Sequence, residues 1–339
     1  MERVAKLPVE SRDPPHDAGA TPGIATILAG SVVPESERMS LSIRPLTQDG
    51  FAGEVSEIDL TRPLTPGQVA AIDAGMDRHG VLVFHDQRFD DATQMAFSRQ
   101  FGELEVSSGA EMSKTADRRL GAMEMADISN LDAAGQLRAA SDRMRLTALG
   151  NRLWHSDASF RVIPAKYSLL SARTVPGTGG NTEFADMRAA HDTLDPGLKA
   201  EIADLVTEHS NAFSRAQIGF QKTDYGAENQ DKLRPVRHRL VRHDGRTSRT
   251  SLYLSAHIGS IVGWPVPEAR ILIRDLTEHA VQRQFVYAHA WKPWDLVIWD
   301  NRVTMHRARR YNDLRDVRDM RRTTIRGDGP TATQSHEAA

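Results

Sequence analysis

The sequence predicts a mainly β fold with helices, a jelly roll (double-stranded β-helix) core buttressed by α-helices, and three observations carry that reading. Short stretches of period-two alternation recur at irregular spacing, helical stretches cluster near the start and between strands, and no internal repeat is visible. A doubly wound parallel sheet would instead alternate strand and helix regularly along the chain.

The elements follow in order. Residues 41–46 and 53–60 alternate apolar and polar side chains as half-buried strands do. Thr65-Pro66 supplies an N-cap and a proline at the first helical position, so a helix is expected to about His79, with Gly80 as its stop. Val81-Leu82-Val83-Phe84 suits a buried strand, and Asp90 or Asp91 caps an amphipathic helix ending near Phe101-Gly102. Further strands are expected over 166–172, 181–184, 251–256, 285–289, 295–299 and 322–326, and helices over 187–193, 196–206 and 268–283. Residues 103–125 and 211–250 are the least regular and are read as covers over a site.

Composition narrows the function classes. The 339 residues, 40% of them hydrophobic, suffice for one large domain. A net charge of −2, from 43 basic and 45 acidic residues, lacks the basic excess of a nucleic-acid binder, so the expected partner is a small molecule. With no cysteine, disulfides, thiolate zinc sites, iron–sulfur clusters and cysteine nucleophiles are excluded, and any metal must sit on His, Asp or Glu. Residues 1–38 hold Pro8, Pro14, Pro15, Pro22 and Pro34 among scattered charges and are read as a loose leader. The domain proper is placed at 39–328, followed by a frayed tail at 329–339. The apolar run from Gly23 to Val33 is too short to span a bilayer and follows no basic segment, so the protein is expected to be cytoplasmic, with no membrane partner.

Two distant segments carry the chemistry. Trp154-His155-Ser156-Asp157 and Trp299-Asp300-Asn301-Arg302-Val303-Thr304-Met305-His306 together offer two imidazoles and one carboxylate. His155 and Asp157 are two residues apart, so on a strand both leave the same face. A 2-His-1-carboxylate set leaves about three of six positions open, which suits ferrous iron that must also bind a chelating cosubstrate and dioxygen. A His-x-Asp triplet alone is weak evidence among 13 histidines and 45 acidic residues. The same residues could hold zinc for hydrolysis.

Taken jointly, five segments give the chain a resemblance. They are Val81-Leu82-Val83-Phe84; Ala126-Asp127-Ile128-Ser129-Asn130; Leu153 to Phe160; Gly179-Gly180-Asn181-Thr182-Glu183-Phe184 continuing to Ala190; and Trp299-Asp300-Asn301-Arg302 through Arg322-Thr323-Thr324. The chain resembles the taurine dioxygenase/2,4-dichlorophenoxyacetate dioxygenase family of Fe(II)- and 2-oxoglutarate-dependent oxygenases over residues 41–326, and looks most like the aryloxyalkanoate branch. The resemblance implies His155, Asp157 and His306 as iron ligands, with Fe(II), 2-oxoglutarate and O2 as the cofactor set. It implies Thr182 and Arg318 for 2-oxoglutarate, and Arg322 for the acidic group of the substrate. Arg315 and Arg321 compete for these arginine roles, because the turn over 312–317 carries one residue more than the family pattern. Asn151 matches a substrate-side amide, and His209 and His257 fall in segments that resemble pocket-lining parts of the branch. Trp154, Phe160 and Trp299 flank the ligands as packing.

The activity so implied is hydroxylation of a small acidic, aromatic substrate, with succinate and CO2 as coproducts. An aryloxyacetate such as the herbicide 2,4-dichlorophenoxyacetate would be cleaved to a phenol and a 2-oxo acid. The alternatives are a sulfonate or alkylsulfate dioxygenase of the taurine type, a zinc hydrolase, and a non-catalytic jelly roll that senses an aromatic acid. A homo-oligomer is expected, as is common among such enzymes.

Overall fold

A computed structural model describes residues 41–112, 118–221 and 233–332 of the chain. The expected leader and residues 333–339 of the expected tail lie outside the described residues, while Thr331 is buried with its hydroxyl 2.7 Å from His238 Nδ1.

The described chain enters through β1 (Ser42–Pro45) and β2 (Gly53–Ser56), paired antiparallel. The second strand is shorter than its alternation predicts, because Glu57 takes a left-handed φ of 63° and turns the chain away. Helix α1 (Pro66–His79) has the boundaries the sequence predicts. Thr65 and Gln68 form a reciprocal capping box, and Gly80 ends the helix at φ 69°, which glycine adopts without a Cβ penalty. Next come β3 (Val81–Phe84) and α2 (Asp91–Arg99), capped by the Asp90 side chain. The polar region beyond holds α3 (Ser108–Met112), β4 (Ala126–Asp127) and α4 (Arg143–Ala148).

Two central strands follow, β5 (Ala165–Thr174) and β6 (Thr182–Asp186), then α5 (Met187–Asp192) and α6 (Pro196–Ile202). The last helix stops short of its expected end, because residues from Val206 are drawn into β7 (Val206–His209) by pairing with distant partners. After α7 (Asn211–Ala216) come β8 (Val236–Arg239), β9 (Val241–Asp244), β10 (Arg249–Leu252) and β11 (Ile258–Ile261). Helix α8 (Val266–Ala280) leads to β12 (Val286–His289), β13 (Leu296–Asp300), β14 (Thr304–Ala308) and β15 (Asp319–Arg326).

Seven strands form the larger sheet in the order β1-β2-β3-β13-β5-β15-β4, antiparallel except for β2 beside β3. A second sheet, β12-β6-β14, completes the jelly roll, with β11-β7-β8 and the hairpin β9-β10 as additions. Alternation along each strand sorts three cores. Val81, Val83, Val297, Trp299 and Met320 of the large sheet meet Phe184 of the small one. Leu82, Phe84, Leu296 and Ile298 instead pack with Ile72 and Met76 of α1 and Phe97 of α2. Ala185 and Met305 of the small sheet pack with Met187 of α5 and Leu276 of α8. With apolar cores on both faces, β13 reads as a continuous apolar run, and each large side chain so buried contributes about 1.5–3 kcal/mol.

Candidate metal centre and adjoining cavities

Main-chain pairing brings the two histidines together. His155 N donates to His306 O at 3.0 Å and His306 N to His155 O at 2.8 Å, an isolated antiparallel bridge between the 154–155 segment and β14. Residues opposed in this way present their side chains to the same side, and the imidazole centroids lie 4.2 Å apart. Asp157 then sits with Oδ1 3.8 Å from His155 Nε2 and Oδ2 3.7 Å from His306 Nε2. One ligand atom from each residue lies within 4.8 Å of the others, and all three side chains are buried; among the described residues no other such group occurs.

The donor set is chemically ready for a divalent metal. His155 Nδ1 contacts the Leu153 carbonyl at 2.7 Å; a carbonyl only accepts, so Nδ1 carries the proton and Nε2 keeps its lone pair. Burial pushes the pKa of both imidazoles down, so both are neutral, and His306 Nδ1 is buried with no protein partner. Burial alone would raise Asp157, but Arg322, then His306 and His155, and the Ser168 hydroxyl together hold it below the usual carboxylate range. Two neutral imidazoles and one carboxylate fit Fe(II), and this set leaves positions for other ligands.

A buried network fixes the carboxylate. Ser168 Oγ donates to Asp157 Oδ2 at 2.8 Å and receives Asn301 Nδ2 at 2.9 Å. Asn301 Oδ1 accepts both Asp157 N and Trp299 Nε1 at 3.0 Å. The Trp299 ring lies 4.6 Å from His306, and Phe160 lies 4.9 Å from His257, so both aromatics pack against the site as expected. Sequence reasoning missed Ser168 and Asn301, although Asn301 stands inside the Trp-Asp-Asn-Arg segment. Outer partners of this kind orient ligands and tune the metal.

One cavity beside His155 and His306 is lined by Thr182, Tyr311 and Arg318. Arg318 is buried, its Nε has no partner, and burial, opposed only by Tyr311, pushes its pKa down to about 10, so it remains a cation at neutral pH. Trp291 Nε1 donates to Thr182 Oγ1 at 2.9 Å, which leaves the threonine proton to donate onward. A buried cation beside a hydroxyl donor is a cradle for a carboxylate.

The four candidate arginines at and before β15 differ in their surroundings. Arg318 and Arg322 both line this cavity. Arg321 lies on the other face, bonded to Asp319 and 3.5 Å from Asp91, and Arg315 is exposed. Arg322 differs from a free substrate anchor, because its Nη1 donates to Asp157 Oδ1 at 2.6 Å, a partner that strand alternation does not reveal. Asn151 lines the same cavity and two adjoining ones. His257 lines the cavity with Asp157 and Glu105, its ring 6.2 Å from His155. His209 is not brought to any of these cavities. Its Nε2 meets Thr207 Oγ1 at 2.9 Å and its ring packs on Tyr253 and His238, a buried histidine of β7 whose Nδ1 has no hydrogen-bond partner among the described residues.

The family model of the taurine catabolism dioxygenase TauD, TfdA family matches residues 42–324. An alpha-ketoglutarate-dependent 2,4-dichlorophenoxyacetate dioxygenase of Burkholderia sp. is 42% identical over 277 residues, covering 82% of this chain and 92% of that protein. An (S)-phenoxypropionate/alpha-ketoglutarate-dioxygenase of Sphingobium herbicidovorans is 36% identical over 265 residues, covering 75% of this chain and 85% of that protein. The crystal structure of AAD-2 in complex with Mn(II) and N-oxalylglycine superposes with a TM-score of 0.82 at 53% identity, covering 86% of this chain and 100% of that one.

Proposed function

Because the chain belongs to the taurine catabolism dioxygenase TauD, TfdA family, we propose that its cavities receive an aryloxyalkanoate and present the ether carbon for hydroxylation. The protein is an Fe(II)- and 2-oxoglutarate-dependent dioxygenase, an oxidoreductase acting on a small molecule. His155, Asp157 and His306 hold the iron in this reading, and the buried Arg318 beside Thr182 is the observation that carries it, since a buried cation whose Nε has no partner among the described residues calls for a carboxylate. When bound, the iron supplies the redox chemistry by which O2 and 2-oxoglutarate become succinate and CO2 while a substrate C–H bond is hydroxylated.

The chain's residues supply placement. Arg318 compensates the distal carboxylate of 2-oxoglutarate while Thr182 donates to it. Asn151 and Arg322 stand where the three cavities meet, so they pass from the cosubstrate side to the substrate side. Leu120, Met125, Ile128, Leu131 and Met144 give the third cavity an apolar wall for an aryl ring, which favours an aryloxyalkanoate over a taurine-like sulfonate. Hydroxylation at the ether carbon of an aryloxyacetate yields a hemiacetal, which collapses to a phenol and glyoxylate.

The test is to load the protein anaerobically with Fe(II) and 2-oxoglutarate, then admit air with 2,4-dichlorophenoxyacetate. Phenol and succinate should form in equal amounts. Phenol no higher than in a control lacking substrate would refute the substrate assignment, and sulfite or sulfate release from sulfonates or alkylsulfates would favour the taurine-type reading. The same proposal includes a homo-oligomer working in the cytoplasm, on the sequence grounds above. Among the described residues no helix is long and apolar enough to cross a membrane.

A further inference from the structure

The Thr182 hydroxyl is set from behind. It accepts the Trp291 indole N–H at 2.9 Å, so its own proton is left for another acceptor, on the cavity that Arg318 also lines. A donor fixed in this way binds an incoming oxygen without first having to be ordered.

Trp291 stands between β12 and β13, outside both strands, and a chain of side chains holds its ring. The His289 ring meets it at 88° with centroids 4.6 Å apart, and His289 lies opposite Thr182 in the pairing of β12 with β6. His289 Nε2 is 2.9 Å from Asp295 Oδ2. A carboxylate only accepts, so Nε2 carries the proton, and Nδ1 accepts the Tyr287 hydroxyl at 3.1 Å. Asp295 also takes the Lys292 N–H at 2.8 Å and His85 Nδ1 at 2.6 Å. Burial alone would raise the Asp295 pKa, but His289, His85 and the Lys292 N–H hold it below the usual carboxylate range. A buried, ionised Asp295 thus locks the imidazole against which Trp291 rests and closes the turn that carries the indole. None of His85, His289, Trp291 and Asp295 lines the three cavities beside the metal centre, so their route to that site is Thr182.

We propose that Trp291 is a positioning residue for the cosubstrate: its indole, held by His289 and Asp295, aims the Thr182 proton at the distal carboxylate of 2-oxoglutarate. The inference rests on the reading that this carboxylate lies between Thr182 and Arg318.

The test measures binding of N-oxalylglycine and of oxalate to protein loaded with Mn(II). Both offer two oxygens to the metal, but only N-oxalylglycine has a distal carboxylate for Thr182 to receive. Trp291→Phe keeps a ring against His289 and removes the N–H. It should weaken N-oxalylglycine about three- to tenfold and leave oxalate and Mn(II) within about twofold. Thr182→Val should weaken N-oxalylglycine as well, and adding Trp291→Phe to it should cost nothing more, because the indole then has no hydroxyl to aim. Asp295→Asn should weaken N-oxalylglycine where Trp291 is present and not in Trp291→Phe. Unchanged N-oxalylglycine affinity in Trp291→Phe, an equal loss for oxalate, or additive losses in the double variant would overturn the role of Trp291. Arg318→Ala reports on the reading beneath it. Unchanged N-oxalylglycine affinity there and in Thr182→Val refutes the reading and the proposal together, whereas losses in both with none in Trp291→Phe refute the proposal alone.

Discussion

Replacing Asn301 by alanine isolates the network behind the metal centre. Asn301 is fully buried and makes three hydrogen bonds, accepting Asp157 N and Trp299 Nε1 and donating to Ser168 Oγ. Its removal orphans two buried N–H donors at about 1–3 kcal/mol each, so the metal-free protein should lose roughly 2–6 kcal/mol of stability. Asp157 loses the bond that fixes its backbone, and Ser168, which grips Oδ2 at 2.8 Å, loses its own anchor. Affinity for a divalent metal should therefore fall about 10–100-fold. Urea unfolding without metal measures the first effect, and Mn(II) titration followed by electron paramagnetic resonance measures the second. Ser168→Ala removes only one strand of the network, and because the two residues touch, the double variant should lose less than the sum of the singles. Stability within about 1 kcal/mol of wild type, together with unchanged Mn(II) affinity, would refute the network's role.

Arg318→Ala should raise the KM for 2-oxoglutarate by about 30-fold or more with a smaller effect on kcat, because truncating one partner of a buried charge pair costs roughly 2–5 kcal/mol; an unchanged KM in steady-state kinetics would move the cosubstrate elsewhere. Burial pushes Glu105 up to about 7 from 4.5, with Arg161 opposing. Its folded pKa lies above its unfolded one, so its stabilising contribution is complete below pH 4.5, is lost as pH rises through about 7, and is flat beyond. Glu105→Gln should therefore shrink the difference in urea midpoint between pH 5 and pH 8, and an undiminished difference would place the titration in another group.

The sequence was most legible where local chemistry decides structure. Thr65, Pro66 and Gly80 mark α1 to the residue, and β13 is plain as an unbroken apolar run because both of its faces are buried. Less visible was β14, which delivers His306. Thr-Met-His-Arg-Ala has no apolar alternation, since its inner face is occupied by Thr304 and His306, and only pairing with β6 makes it a strand. For the same reason the helix expected over 196–206 runs one residue into β7, and β7 itself is not visible locally: its four residues gain their strand partners from β8 and β11 across long stretches of chain. Within the site, residue types and spacing point to the two imidazoles and the carboxylate, and the family resemblance adds Thr182, but neither shows how Arg322 divides its donors or the enclosure of His209. Those depend on which side chains tertiary packing sets opposite one another.

The bridge between His155 and His306 also bears on how the protein is made. The first two candidate ligands leave the ribosome some 150 residues before the third, so for much of synthesis the chain offers only a His-x-Asp pair with little hold on any cation. The full set is assembled only when β14 closes against the 154–155 segment, a late and strongly non-local event. A chain that stops short of β14 thus lacks one corner of the candidate triad.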